Sequence, residues 1–285
     1  MRYFGAHMSI AGGLDKAIER IMRVNGTALQ IFSKNQRQWK SKPLEQKQID
    51  AFIGACKDWG DYPIAAHDSY LINLGSPKEE GVEKSVAAFS HELERAEQLN
   101  IPYVVMHPGA HLGSNVDEAL ERVAKNLDRA FYDSRTERVM VLLENTAGQG
   151  TTLGRSFDEL AVVIQHSRNA DRLGVCVDTC HAYAAGYDLT TDEGYAATFA
   201  EFESTVGLSR LKFMHVNDSK GALGSHLDRH DHIGHGLLGE ETFARIVNDP
   251  RFIDLPMVLE TPKGEDLAED VENLNKLYGL IIAQV

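Results

Sequence analysis

The feature that most constrains the fold of this chain is a recurring unit: a short apolar run, a polar residue, a loop and a segment of helical spacing. Continuous apolar runs of this length are typical of strands buried on both faces, as in a parallel sheet. Between the runs, residues such as Leu14, Ile18 and Ile21 recur every three or four positions, which predicts helices packed on that sheet. The eight runs are Tyr3–Ala6, Ala28–Phe32, Pro63–Ala66, Tyr103–Met106, Val139–Leu143, Leu173–Val177, Leu211–Met214 and Pro256–Leu259.

Eight strands that alternate with helices over 285 residues predict a (β/α)8 TIM barrel, formed as a single domain by residues 1–285. A doubly wound open sheet is the alternative. It is disfavoured because the segment Ala11-Gly12-Gly13 after the first run lacks the glycine-rich phosphate-binding pattern. In a barrel, the residues that follow the strands gather at the C-terminal mouth, where active sites of this fold lie.

The third to eighth runs are each followed directly by a histidine or an acidic residue. The chain has only 12 histidines and 42 acidic residues among 285, so six consecutive hits are not expected by chance. His7 also follows a run but has no acidic neighbour, and its role stays open. The six residues are His67, His107, Glu144, Asp178, His215 and Glu260.

Three further residues belong with these six. His181 lies three positions after Asp178, and Asp228 and His230 alternate in what reads as an extended loop. Mixed imidazole and carboxylate ligands suit zinc, manganese or iron better than calcium or magnesium. Since one ion takes three or four protein ligands, nine ligands imply two or three ions, some of them bridged by a carboxylate. Neighbouring ions of this kind favour phosphodiester hydrolysis over carbonyl chemistry.

Charge and composition exclude several other classes. The formal net charge of −13, taken alone, argues against a nucleic-acid partner, although bound divalent ions would offset part of it. Basic residues are concentrated locally, with five between Lys34 and Lys47 against Glu45 alone. No apolar run approaches the roughly 20 residues that span a bilayer. The N-terminus lacks the apolar stretch of a secretory signal. We therefore expect a cytoplasmic protein without membrane contact.

The cysteines and serines do not indicate a second chemistry. Three cysteines are too few, and odd in number, for a disulfide framework. We expect Cys176 to be a small core residue and Cys180 to pack beside the site without binding metal. Ser69 follows His67 in sequence, but no nucleophile elbow is present and no catalytic triad is predicted.

Several segments of the chain resemble one known family. The resemblance runs from Tyr3 to about Thr261, and two of the segments are long and very specific. The family is endonuclease IV, the zinc-dependent apurinic/apyrimidinic (AP) endonucleases of base-excision repair. The matching segments are Lys34–Trp39, His67–Leu74, Glu144–Gly150, Gly174–His181 and Met214–Lys220, followed by Asp228–His230.

The resemblance implies a TIM barrel with three zinc ions, which manganese or iron could replace, and no organic cofactor. It implies hydrolysis of the phosphodiester 5′ to an abasic site in double-stranded DNA, leaving a 3′-hydroxyl and a 5′-deoxyribose phosphate. Cleaning of blocked 3′-ends is an expected second activity. Glu144 and Glu260 would be the catalytic carboxylates. The implied ligand sets are His67, His107 and Glu144; Glu144, Asp178, His215 and Glu260; and His181, Asp228 and His230.

The resemblance also implies DNA-facing loops at the mouth. Tyr70 and Leu71 would wedge into the minor groove where a base is missing, and Arg37 would fill the stack. The alternative is that Tyr70 and Leu71 merely pack a loop. Lys34 and Lys40, together with Lys42, would contact phosphates and make binding depend on salt.

Two points stay open in the sequence. His235 lies between Gly234 and Gly236, where family members often carry a charged residue, so this loop departs from the family pattern. A metal-dependent sugar isomerase or epimerase, with fewer metal sites on a similar barrel, is the main alternative. A non-catalytic DNA-binding or scaffold protein is another. Two or more zinc ions per chain would favour the nuclease. We expect a monomer.

Overall fold

The computed structural model describes residues 2–282, and within them eight parallel strands close into a barrel. The barrel follows the chain from β1 to β7, and β10 then closes it between β7 and β1. The strands are β1 (Tyr3–Met8), β2 (Ala28–Phe32), β3 (Ile64–His67), β4 (Tyr103–Met106), β5 (Met140–Glu144), β6 (Leu173–Asp178), β7 (Leu211–His215), β8 (Asp218–Ser219), β9 (His230–Asp231) and β10 (Pro256–Leu259).

Helices connect the barrel strands and cover the outside of the barrel. Single 3-10 turns at Ala170–Arg172, Leu208–Arg210 and Pro250–Phe252 precede three of the strands. In residues 2–282, no helix is long and apolar enough to cross a membrane. The α-helices are α1 (Asp15–Arg23), α2 (Gln46–Trp59), α3 (Glu79–Gln98), α4 (Val116–Ser134), α5 (Phe157–His166), α6 (Thr179–Ala185), α7 (Asp192–Thr205), α8 (Glu240–Asn248) and α9 (Ala268–Gly279).

Two apolar layers hold the barrel together. Most apolar side chains, such as Phe4 and Leu143, pack between the strands and the outer helices. A small second cluster fills the interior of the barrel, and it includes Phe213 and Cys176, as predicted for this cysteine. Strands β1 and β2 approach so closely that a Cβ atom at Gly5 would clash with the Ala28 carbonyl oxygen. Side chains therefore fill the interior of the barrel below its C-terminal mouth.

The predicted TIM barrel and all eight strands are confirmed, with ends that differ by a residue or two. The structure adds the antiparallel pair β8 and β9, in which Asp218 lies opposite Asp231 and Ser219 opposite His230. This pairing fixes a segment that the sequence indicated only as an extended loop. A second addition is that α6 begins directly after β6, so His181 lies in the first turn of a helix.

Candidate metal centre

The nine predicted ligands lie together at the C-terminal mouth of the barrel. Glu144, Asp178 and His215 end their strands and are fully buried, while Asp228 lies at the rim with its side chain 45% exposed. The side chains form overlapping groups whose potential ligand atoms lie within 4.8 Å of one another. Two of these groups are the predicted first and second sets, and the third predicted set overlaps two further groups.

Glu144 lies at the centre of the cluster. Its Oε2 is 3.1 Å from His67 Nε2 and 3.2 Å from His107 Nε2. Its Oε1 is 3.0 Å from His215 Nδ1, which is also 3.2 Å from Glu260 Oε2. One carboxylate therefore borders both the first and the second ligand set, which is the geometry required of a bridging ligand.

The third set lies at the rim of the mouth. Asp228 Oδ1 is 3.3 Å from His181 Nε2 and 3.4 Å from His230 Nε2. His230 Nε2 is also 3.6 Å from Asp178 Oδ2, which connects this set to the second. The side chain of Asp178 caps α6 by accepting a hydrogen bond from the His181 backbone at 2.8 Å. The capping interaction thus orients two candidate ligands at once.

Four of the five histidines direct one ring nitrogen at a carbonyl oxygen and the other at the carboxylates. A carbonyl oxygen only accepts, so the nitrogen that faces it carries a proton, and the other nitrogen is the one that can bind a metal ion. Fixing the tautomer in this way is the usual support for a metal-binding histidine. The pairs are His67 Nδ1 with Asp68 O at 2.9 Å, His181 Nδ1 with Asn145 O at 3.0 Å, His230 Nδ1 with Glu260 O at 3.2 Å and His215 Nε2 with Gln30 Oε1 at 2.8 Å.

The buried carboxylates of the site favour positive charge on the groups around them. Burial lowers the pKa of His67, but its hydrogen bond to Glu144 and the charges of Glu144 and Glu260 outweigh the burial and raise that pKa to about 9. Burial also lowers the pKa of His181, and the neighbouring carboxylates, Asp178 first, raise it well above the usual value. Burial raises the pKa of Glu144, but the imidazoles around it hold that pKa well below its usual range.

The donor set fits divalent metal ions. An imidazole nitrogen and a carboxylate oxygen at these distances need a proton or a metal cation between them, and the buried Nε2 of His230 has no hydrogen-bond partner. Tetrahedral ligands that are about 2.0–2.1 Å from zinc are roughly 3.3 Å apart. The separations described above are 3.0 to 3.6 Å. Bound ions would need little movement of these side chains.

Three amide side chains that the sequence analysis missed support the ligands. Gln30, fully buried on β2, donates to Glu260 Oε1 at 2.6 Å while its carbonyl faces His215. Asn217 donates to Asp178 Oδ2 at 2.6 Å and accepts from the Glu260 backbone at 2.7 Å. Asn145 accepts from the Asp178 backbone at 2.8 Å. One signal was available, since Gln30 is a polar residue in the middle of the apolar run Ala28–Phe32.

We predict that Gln30→Leu loosens metal binding in the second set, because Glu260 and His215 both lose a partner that orients them. Loss of such a supporting residue costs about 10- to 100-fold in metal affinity. The measurement is the half-time of metal release to a chelator. Gln46→Leu, at an exposed position on α2, is the matched control, and equal half-times for the two variants would contradict the prediction.

Four of the predicted DNA-facing residues are exposed on the segments that follow β2 and β3, with Lys34 as the exception. Tyr70 is 61% exposed and Leu71 38% exposed, although each carries a large apolar side chain. The Tyr70 ring lies 5.6 Å from the His67 ring, so it borders the candidate metal centre. Arg37 and Lys40 are both exposed. These four residues are available to a ligand that covers the mouth.

Lys34 is the exception, and the prediction that it contacts phosphate is wrong in this structure. Its side chain is 2% exposed, and its ammonium lies 3.2 Å from Glu92 Oε1, inside the protein. After β2 ends at Phe32, the side chains of the next two residues, Ser33 and Lys34, are buried. Lys34 therefore packs against Glu92 on α3. The Lys34 ammonium is paired with Glu92 and is not available to a DNA phosphate.

The remaining open residues lie around the site. His7 Nδ1 is 3.1 Å from Glu260 Oε1, which makes it a neighbour of the ligand. Cys180 is buried beside the third set, and burial raises the pKa of its thiol to about 12. Its sulfur lies within 4.8 Å of ligand atoms of Asp228 and His230. His235 is exposed, and its ring lies 5.9 Å from that of His232.

The fold and the site define a TIM-barrel protein with a cluster of metal-type ligands at its mouth, and comparisons with known proteins agree. The family model described as a xylose isomerase-like TIM barrel matches residues 18–277. The crystal structure of endonuclease IV from Thermus thermophilus superposes with a TM-score of 0.87, at 39% identity and over 98% of each chain.

Curated relatives define the family more closely. A protein of Chloroflexus aurantiacus named probable endonuclease 4 is 52% identical over 281 residues, which are 99% of each chain. One of Geobacter sulfurreducens with the same name is 47% identical over 279 residues, or 98% of this chain and 94% of the relative. The chain belongs to the endonuclease IV family, the metal-dependent DNA-repair endonucleases that its sequence resembles.

Sugar-metabolising proteins share the fold alone. A D-tagatose 3-epimerase-like protein superposes with a TM-score of 0.70 at 21% identity, over 98% of this chain and 97% of that one. Its likeness explains why the barrel by itself left an isomerase open. The family relationship, which rests on about half of all positions over the full chain, favours the nuclease.

Proposed function

We propose that this chain hydrolyses the phosphodiester 5′ to abasic sites in double-stranded DNA, using three zinc ions held by the nine clustered side chains. The observation that carries the proposal is Glu144, whose two oxygens border the first and second ligand sets while the third set lies at the rim. Three adjoining ligand sets suit a reaction in which charge must be stabilised on the phosphate, on the attacking oxygen and on the leaving oxygen.

Zinc ions bound here would neutralise the phosphate, lower the pKa of a water molecule and stabilise the leaving 3′-oxygen. The residues of the chain hold and orient these groups. Glu260, supported by Gln30 and His7, lies where it can orient the attacking water towards phosphorus. Asp228 and His230 lie at the rim, on the side from which DNA approaches, and are suited to the leaving oxygen. The same arrangement would accept a blocked 3′-end.

Recognition of the abasic site is assigned to Tyr70, Leu71 and Arg37. Large apolar side chains exposed beside a polar site are suited to filling the gap left by a missing base. Unstacking costs least where a base is absent, so such a wedge selects damaged DNA. Lys40 is placed to meet a phosphate. Affinity comes from these loops and the ions, since the chain as a whole carries a charge of −13.

One chain supplies every part of this site, so the proposed active form is a monomer. All nine ligands and the four exposed loop residues belong to the described residues of a single barrel. No organic cofactor is needed, since hydrolysis requires only water and the ions.

The experiment that tests the function is incision of a duplex oligonucleotide bearing one stable abasic analogue, with an undamaged duplex as control. We expect cutting 5′ to the analogue, loss of cutting after chelation and recovery after addition of zinc. Absence of cutting by fully metallated protein would overturn the proposal. Turnover of a ketose or aldose by that same protein would identify the isomerase instead.

The wedge gives a second prediction, for the double variant Tyr70→Ala with Leu71→Ala. We expect the preference for abasic over intact duplex to fall by about 10- to 100-fold, because each intercalating contact offsets an unstacking cost of a few kcal/mol. Binding to both duplexes is measured by fluorescence anisotropy, with Tyr132→Ala, at an exposed position on α4, as the control. An unchanged preference would show that Tyr70 and Leu71 only pack a loop.

A further inference from the structure

A buried charged cluster lies beneath the loop Asn35–Trp39. We call Ser33, Lys34, Glu92 and Arg95 the anchor cluster. The Lys34 ammonium lies 3.2 Å from Glu92 Oε1, and these two side chains are 2% and 3% exposed. Ser33 Oγ donates to Glu92 Oε2 at 2.5 Å. Glu92 and Arg95, the two charged residues that α3 contributes, are thus buried where β2 ends and the loop begins.

The anchor cluster holds both ends of the loop. At the start, Arg95 Nε donates to the Ser33 carbonyl at 3.2 Å. At the far end, Lys34 Nζ donates to the Trp39 carbonyl at 3.5 Å, and Arg95 Nη1 donates to the Lys42 carbonyl at 3.3 Å. Side chains anchored on one rigid helix therefore fix the chain on both sides of the loop.

A separate hydrogen bond joins this loop to the segment that carries the proposed wedge. Ser69 Oγ, which is buried, donates to the Gln36 carbonyl at 2.5 Å. Ser69 directly precedes Tyr70 and Leu71, so the two loops proposed to face DNA are connected through Gln36. Their side chains reach the mouth as one surface.

A buried ion pair of this kind contributes little net stability, because desolvation of two charges offsets their attraction. Apolar residues of similar volume often serve as well, so the cluster calls for a role other than stability. Loops that are held in their binding conformation lose less entropy on binding, which increases affinity without a new contact. The geometry of the anchor cluster meets this requirement for the loop Asn35–Trp39.

We propose that the anchor cluster sets the conformation of the DNA-facing loops, with Lys34 as a positioning residue that acts through Trp39 and Glu92. The inference rests on the proposed function, because it takes these loops as the DNA-binding surface. It assigns to Lys34 a role unlike that of Lys40, which is exposed in the same segment.

The first test is independent of DNA. The double variant Lys34→Met with Glu92→Gln removes both charges of the Lys34–Glu92 ion pair, leaves Arg95 in place and keeps an acceptor for Ser33. The chain has two tryptophans, and Trp59 is 7% exposed against 38% for Trp39, so acrylamide quenching reports mainly on the loop. We expect greater quenching with an unchanged unfolding midpoint. Ser69→Ala, a milder change, should increase quenching in the same direction.

The second test is the salt dependence of binding to an abasic duplex. Each lysine that neutralises a phosphate contributes about 0.9 to the slope of log affinity against log salt. We expect the double variant to bind about tenfold more weakly with an unchanged slope. Lys40→Met should lower the slope by about 0.9, and Lys57→Met, at an exposed position on α2, should change neither quantity.

Two results would overturn the inference. A lower slope for the double variant with unchanged quenching would make Lys34 a phosphate contact. Unchanged quenching together with unchanged affinity would leave the anchor cluster without any role in the loop. Failure of the wild-type protein to bind abasic duplex would count against the proposed function alone, since the quenching experiment still decides whether the cluster fixes the loop.

Discussion

Glu144→Gln is expected to lower abasic-site incision by about 10⁴-fold, since metal ions supply several kcal/mol of transition-state stabilisation and each 1.4 kcal/mol is a factor of ten. Glu144 lies 3.0–3.2 Å from the ring nitrogens of His67, His107, His181 and His215. Glutamine keeps the volume but loses the charge and one acceptor oxygen. The first and second sets should therefore lose their ions together, which incision assays and metal analysis measure in parallel.

The matched control for this variant is Glu97→Gln. Glu97 is a partly buried carboxylate that binds Arg138 through its side chain and lies outside the metal centre. We expect it to keep both metal and activity. A Glu144→Gln protein that retains its ions and cuts at the wild-type rate would show that no carboxylate bridges the two sets.

Glu260→Gln is expected to lower kcat by about 10³-fold, within the range for a positioned acid–base group. Burial raises the pKa of Glu260, but His215 and the neighbouring donors outweigh it and keep that pKa below its usual range, so the group is anionic at neutral pH. The glutamine side chain has nearly the same size as glutamate and keeps its packing contacts. It lacks the negative charge that we propose orients the water molecule. KM for the abasic duplex should change little, because Glu260 acts on the reacting atoms and not on the DNA backbone.

Steady-state incision across substrate concentrations separates these two constants. Glu269→Gln, a change at a partly buried position in the first turn of α9, serves as the control. If Glu260→Gln turned over at the wild-type rate, the assignment of Glu260 to water orientation would fail. If only KM changed, Glu260 would be a substrate-binding residue.

The sequence predicted the barrel and six of the nine clustered residues because one rule connects them. A parallel barrel directs the ends of all its strands to one mouth, so the residue after each apolar run could be placed without knowledge of its neighbours. Glu144 and His215 are 71 positions apart in the chain, and yet both lie at strand ends and meet at 3.0 Å.

The sequence was insufficient where a role depends on contacts between distant segments. Gln30 supports Glu260 across the closure of the barrel, 230 positions away, and only the closed strand order brings them together. Lys34 was assigned to DNA because it begins a basic stretch that the family resemblance places among the DNA-facing loops. Its inward orientation follows from Glu92, a residue on α3 whose proximity no local pattern reveals.

The most direct test of the central claim is a count of metal ions by inductively coupled plasma mass spectrometry on protein purified without added metal. Nine ligands in three adjoining sets predict about three divalent ions per chain, mainly zinc. Replacing Asp228 and His230 with alanine should lower the count by one, since these residues belong to the third set alone. One ion or none in a folded chain that cuts abasic duplex would contradict the account.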